Sequence, residues 1–214
     1  MKQIKLLVLG LLFIASYTSC KDAKKEKDVQ QEEVKAVTAS QFSLVADSTQ
    51  VSFTAYKTTE KLPVGGKFTK IDIANSNSGD TALEALNGTE FSIPVSSLFT
   101  NDATGTRDPK ILEFFFGVMT NTEFITGVFH VTGNDKCSIA VTLNGETASI
   151  PLDYEKVSET EYIFKGDMDL ENWNAMAAVA ALNKACKVLH TGPDGVTKTW
   201  SEVAVRAKVL LEKN

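Results

Sequence analysis

The chain has 214 residues and carries 22 Lys and Arg against 27 Asp and Glu, a net charge of −5. It has no basic cluster and no interleaving of aromatic with basic residues, which argues against a nucleic-acid partner, and its acid excess is repelled by anionic membrane surfaces. Three cysteines without a CxxC spacing, and two isolated histidines, His130 and His190, exclude a recognisable metal site.

The chain opens with Lys2 and Lys5, an unbroken apolar run from Leu6 to Ala15, the segment Ser16-Tyr17-Thr18-Ser19, and then Cys20. A charged start, a short apolar stretch and small residues before a cut site form an export signal. The run is far shorter than the roughly 20 residues that span a bilayer. Ending on Cys20 points to a bacterial lipoprotein, cut before that residue and lipidated on it, although Tyr17 stands where Leu is usual. The plainer alternative is an ordinary signal with an incidental cysteine. The expected location is the cell envelope, as an outer-membrane lipoprotein on the periplasmic or the surface face.

Residues 21–41 mix Lys, Glu, Asp and Gln without apolar periodicity and read as a flexible tether of about 25 Å mean span. This stretch carries five charges of each sign, so the acid excess belongs to residues 42–214, and membrane attachment falls to the acyl chains. The expected organisation is a signal peptide over 1–19, a lipidated Cys and tether over 20–41, and one folded domain over 42–214.

Beyond the tether, period-two alternation dominates. It predicts strands at 42–47, around Val51, Phe53 and Ala55, and at 67–74, 89–94 and 123–132. Cys137, Ile139, Val141 and Leu143 alternate with polar residues up to Asn144-Gly145, the strongest two-residue hairpin signal. The return strand sets Ala148, Ile150, Leu152 and Tyr154 on one face. Tyr162, Phe164, Gly166, Met168 and Leu170 form the next face, and Val203, Val205, Ala207 and Val209 the last. Two helices are expected: a short one over Pro109–Met119 with Asp108 as N-cap, and an Ala-rich one over Trp173–Leu189, halted by Gly192-Pro193. With one face of the sheet apolar, the strands must close on themselves or pair with a second sheet. The fold class is therefore all-β, an antiparallel barrel of about eight strands with one short helix and one longer helix in the C-terminal half. Cys137 falls in a strand and Cys186 in a helix, so two buried free thiols are favoured over a disulfide.

Two stretches, SIPVSSLFTNDATGTRDPKILEFFFG (92–117) and LNGETASIPLDY (143–154), resemble the YceI-like, or polyisoprenoid-binding-protein-like, family. The matching features are Ser97-Leu98, Thr100, Arg107-Asp108, Leu112, Phe114-Phe115, the hairpin Gly145 and Ile150-Pro151-Leu152. Gly66-Lys67-Phe68 matches the family's opening pattern. The Trp173–Leu189 helix departs from it. The resemblance implies a lipocalin-like barrel whose interior holds an isoprenoid or other long-chain lipid. It brings no catalytic set and no other cofactor.

A barrel of this size either fills its interior or holds one small ligand. The inward candidates are Val51, Phe53, Phe68, Phe91, Ile125, Phe129, Ile139, Phe164 and Met168, interrupted by Gly127 and Gly166. Large flat side chains beside glycine leave room for a slim chain. Neighbours on a helix lie about 100° apart, so Phe114, Phe115 and Phe116 cannot all face inward, and at least one closes or lines the barrel mouth. The expected ligand-binding residues are Phe53, Phe68, Phe91, Phe115, Phe116, Phe129, Phe164 and Met168. Arg107-Asp108 reads as structural, Asp108 capping the helix and Arg107 tying the loop to the barrel rim. The Trp173–Leu189 helix, with Met176, Val179, Leu182 and Leu189 on its apolar face, reads as a plug across a barrel end, and Lys184 and Lys187 as solvated. His190 reads as a helix C-terminal group, favourable as a cation or through a carbonyl partner. No nucleophile elbow, HExxH or phosphate loop appears, so a non-enzymatic ligand binder leads. A surface interaction module with a filled barrel and an enzyme on lipid-like substrates are the alternatives. The oligomeric state is open, a dimer included.

Overall fold

The computed structural model describes residues 41–214. The leader, Cys20 and all but the last residue of the expected tether lie outside the described residues.

Twelve strands form one antiparallel sheet: β1 (Phe42–Leu44), β2 (Gln50–Lys57), β3 (Leu62–Phe68), β4 (Asp72–Ala74), β5 (Ser78–Gly79), β6 (Glu90–Pro94), β7 (Leu98–Phe99), β8 (Phe124–Thr132), β9 (Lys136–Leu143), β10 (Glu146–Lys156), β11 (Glu161–Asp169) and β12 (Thr199–Lys213). Their order is β4-β6-β8-β9-β10-β11-β12-β2-β3-β7. This path returns to its start. β3 and β4 belong to one run of chain and β6 and β7 to another, and the two runs pair at both ends, Phe68 with Leu98 and Ile73 with Phe91. Between the ends the Thr69 amide donates to the Ser97 carbonyl at 2.9 Å, and the Ser97 hydroxyl donates to Pro94 O at 2.7 Å. β1 and β2 likewise lie along the same partner, the fifteen-residue β12, separated by a 3₁₀ turn at Ala46–Ser48. Short corners thus break three runs into six strands; with β8 to β12 these make eight runs, matching the count of about eight read from the sequence, and the two-residue β5 pairs only with β1. A sheet closed in this way leaves no long unpaired edge.

The Asn144-Gly145 hairpin forms as expected, with positive φ at both residues (54° and 76°) and Leu143 opposite Glu146.

Each end of the barrel carries helix. At one end sits α1 (Ala82–Leu86), whose N-terminus is fixed by a reciprocal Thr81–Glu84 capping box. Leu83, Ala85 and Leu86 bury against Phe42, Tyr162, Phe164, Val209 and Leu211. At the other end sit α2 (Arg107–Phe114), α3 (Met176–Ala185) and α4 (Lys187–His190). Trp173 is fully buried there, its indole N–H donating to Val141 O at 2.9 Å, and it packs with Val95, Phe116, Leu170 and Val179.

The helices differ from expectation in four respects. The single Trp173–Leu189 helix is three pieces, a 3₁₀ turn at Leu170–Trp173, then α3 and α4, parted at Asn174 in left-handed conformation and at Cys186. As a result Met176 and Leu189 are exposed rather than packed. α2 begins at Arg107, and Asp108 lies inside its first turn without capping it. The capping role belongs to Asp102, whose carboxylate accepts from the Thr106 and Arg107 amides, both at 3.1 Å. Asp108 instead accepts from the amide and hydroxyl of Thr100, and Arg107 lies 3.8 Å from Asp102 within its own loop, not on the rim.

Cys137 and Cys186 are both buried and unpaired. Cys137 packs at the α1 end, where burial and then Asp135 push its thiol up to about 11.

Candidate functional site: an apolar cavity

A cavity of about 250 Å³ runs inside the barrel, from Leu44, Leu86 and Thr89 at the α1 end to Phe115, Val179 and Trp200 at the α3 end. One water needs roughly 10–15 Å³ of such space, so the hollow is many waters large. Its wall is almost wholly hydrocarbon. Among the described residues the only charged side chain on it is Arg206, which is exposed, and none of its lining is a carboxylate or imidazole. Water gains little in such a hollow, whereas an apolar chain gains contact on all sides.

All eight side chains expected to bind ligand line this cavity. Phe115 and Phe116 stack edge to face with centroids 5.1 Å apart, at the end where α2 meets α3. Phe114, the third of the triplet, stays outside the lining, as its position on the helix requires. Phe129 and Phe164 meet edge to face at 5.0 Å at the α1 end.

The hollow persists because glycine stands opposite aromatic residues. Phe53 pairs with Gly66 and Phe91 with Gly127 across adjacent strands. A Cβ at Gly66 would lie 2.4 Å from Phe53 Cζ, and one at Gly127 2.5 Å from Phe91 Cζ. Both rings therefore lie flat on the wall over a bare backbone instead of projecting to the barrel axis. Any larger residue opposite them would turn the rings inward and fill the space.

Several lining residues were not singled out from the sequence. Ile71 and Ile73 come from the corner between β3 and β4 and from the three-residue β4, Leu86 from α1, and Trp200 from a register shift between Thr199 and Val203 in β12. Each sits where alternation is broken, so period-two reading passes over it. Above Trp200 a short polar chain closes the α3 end. Thr199 donates to Asn183 Oδ1 at 3.0 Å, which leaves His190 Nδ1, 2.6 Å away, to donate to the Thr199 oxygen. Burial first and Lys57 second hold His190 at about 4, so the imidazole is neutral at pH 7 and the expected helix-end cation is not formed.

A second depression of about 600 Å³, more open and mixed in polarity, lies over Asp135, Tyr154 and Lys165. Leu152 is common to both linings, but this depression lacks an enclosing wall and gathers no hydrogen-bonded set of side chains. Among the described residues no three His, Cys, Asp or Glu side chains gather into a metal-holding group.

Closed antiparallel strands around an apolar hollow define a lipocalin-like barrel. More particularly, the chain has the fold of a polyisoprenoid-binding domain from Saccharophagus degradans implicated in plant cell wall breakdown. The TM-score to that domain is 0.54 at 15% identity, over 81% of this chain and 98% of that one. Burkholderia cenocepacia BcnA has the same fold, with TM-score 0.51 and 13% identity over 79% of this chain and 99% of that one. At these identities the likeness is one of fold. No family model and no curated protein sequence matches the chain significantly.

Proposed function

We propose that the protein is a lipid-anchored component of the bacterial cell envelope that binds or carries one long, hydrophobic, isoprenoid-like molecule inside its barrel. The observation that carries the reading is the hydrocarbon-lined cavity, held open by the Phe53–Gly66 and Phe91–Gly127 pairs. Each methylene moved from water into such a wall contributes about 0.8 kcal/mol, so ten give about 8 kcal/mol before ordering costs. A micromolar complex needs about that much. The ligand thus requires few polar contacts, and the cavity offers few. The polyisoprenoid-binding domain with the same fold supports this ligand class. The lack of a carboxylate or imidazole on the wall favours binding over catalysis. Attachment through acyl chains on Cys20, at the outer membrane, completes the reading from the leader alone.

Solvent extraction of the purified protein followed by mass spectrometry tests the ligand. A long-chain apolar lipid at near one per barrel is expected, or uptake of an added polyprenol where the protein is isolated empty. A barrel that yields no lipid and takes up no polyprenol removes the proposal. The anchor is tested separately: Cys20→Ser should abolish acyl labelling and release the protein from the membrane fraction.

A further inference from the structure

The acid excess of the domain is not evenly spread. Residues 42–214 hold fifteen Lys and Arg against twenty-two Asp and Glu, yet lysines outnumber acids on the elements joined around α4. Hydrogen bonds join α4, the loop 191–198 and the β2–β3 turn into one face. The Lys198 amide donates to His190 O at 3.1 Å, and the Thr58 amide to Lys198 O at 2.9 Å. The Thr59 hydroxyl donates to Asp194 at 2.6 Å. This face presents Lys57, Lys61, Lys184, Lys187 and Lys198 against Glu60, Asp194 and Glu202, the last paired with Lys61 at 2.8 Å. Among the lysines stand bare aliphatic side chains. Val188 is 89% exposed and Leu189 56%; Val196, in the loop after α4, and Leu62, paired with Lys57 across the β2–β3 hairpin, are exposed too. Singly exposed hydrophobics are ordinary, but Val188 and Leu189 adjacent on one short helix beside Lys187, with Val196 in the loop that follows, mark an interaction surface.

We infer that this face docks on an anionic phospholipid bilayer, the aliphatic tips entering the headgroup layer and the lysines contacting lipid phosphates. Chemistry favours lipid over a protein partner. Protein interfaces are depleted in lysine and concentrate their energy in Trp, Tyr and Arg. Here the aromatics Tyr56 and Trp200 sit beneath lysine ammonium groups, with Lys61 over both rings and Lys198 over Trp200. Compact ammonium charges on flexible stems suit a fluid, phosphate-bearing surface, each worth about fivefold in affinity. The face also overlies the Thr199–Trp200 end of the cavity, so docking brings that end of the barrel to the lipid. The inference concerns the outer surface and stands whether or not the cavity holds a ligand.

The test uses the full chain with Cys20→Ser, to remove acylation, and Val188→Cys labelled with an environment-sensitive fluorophore in the folded protein, where Cys137 and Cys186 are buried and mass spectrometry confirms one label per chain. A site-specific label reads this face regardless of what residues 1–41 do. Vesicles of phosphatidylglycerol mixed into phosphatidylcholine should shift the emission of the label to the blue. Pure phosphatidylcholine should leave it unchanged, and added salt should reverse the shift. Lys184→Glu with Lys187→Glu should weaken the vesicle titration tenfold or more. A label at Ser149, on the distant barrel wall, should not respond. The inference fails if position 188 shows no shift with anionic vesicles, or if Ser149 shifts equally. It also fails if the label is already buried without lipid by self-association or by a bound protein.

Discussion

At the scale of single residues, the two glycines facing aromatic rings make separable predictions. At Gly66 the three nearest contacts of an added Cβ are all Phe53 ring carbons, at 2.4 to 3.1 Å, and a ring can swing. Gly66→Ala should therefore fold at a cost of about 1–2 kcal/mol, push Phe53 into the hollow, and lower polyprenol affinity about tenfold or more. At Gly127 the added carbon also meets Ala140 O at 2.4 Å, and backbone cannot swing. Gly127→Ala should cost about 3 kcal/mol or more, visible as a lower urea midpoint before any binding assay. His190 makes a third prediction. Folding lowers its value from 6.5 to about 4, so between these pH values the unfolded chain binds more protons than the folded one. The stabilisation is fully present above about pH 6.5 and is lost as pH falls toward 4. Solvent screens the half-exposed ring, leaving about 1 kcal/mol. Melting temperature should therefore fall over this window, and His190→Asn, which keeps a donor for Thr199, should flatten that part of the slope.

At the scale of elements, legibility tracked periodicity. The long strands β8 to β11, and β12 beyond its register shift at Thr199–Val203, alternate without a break, and their inward residues, from Ile125 to Val209, are readable from the sequence. The corners were not. β4, β5 and β7 have two or three residues each, too few for a period to show, and α1 has five. What marks α1 is its cap, Thr81 with Glu84 three residues on, just before Leu83 and Leu86. Thr81→Ala should lower stability by about 1 kcal/mol in denaturant titration. The Ala-rich stretch carried a sound helical signal but an unsound length. Asn174, in left-handed conformation, turns Trp173 into the barrel before α3 starts, and periodicity continued from Trp173 therefore misassigns Met176. The site was legible where large residues alternate with glycine. Its depth was not, because a full core and a hollow one share the same alternation. Only the register that sets Phe53 over Gly66 separates them.

At the scale of the whole molecule, the two ends of the barrel have unequal duties. Cluster packing around α1, Tyr162 and Leu211 makes one end a dense stopper, while the other is closed by three short helical pieces and a polar chain. Ligand bound between them ties the two ends together and should stabilise the barrel as a unit. A ligand that binds only the folded state, at a free concentration of 100 times its dissociation constant, adds about 2.7 kcal/mol. For a domain of this size each kcal/mol moves the melting temperature by about 2–4 °C, so saturating polyprenol should raise it by about 5–11 °C. The same titration of Gly66→Ala should give a much smaller rise, since the turned Phe53 ring occupies the ligand's space. Equal shifts in both proteins would place the lipid outside the barrel, because only a molecule within the hollow senses which way that ring points.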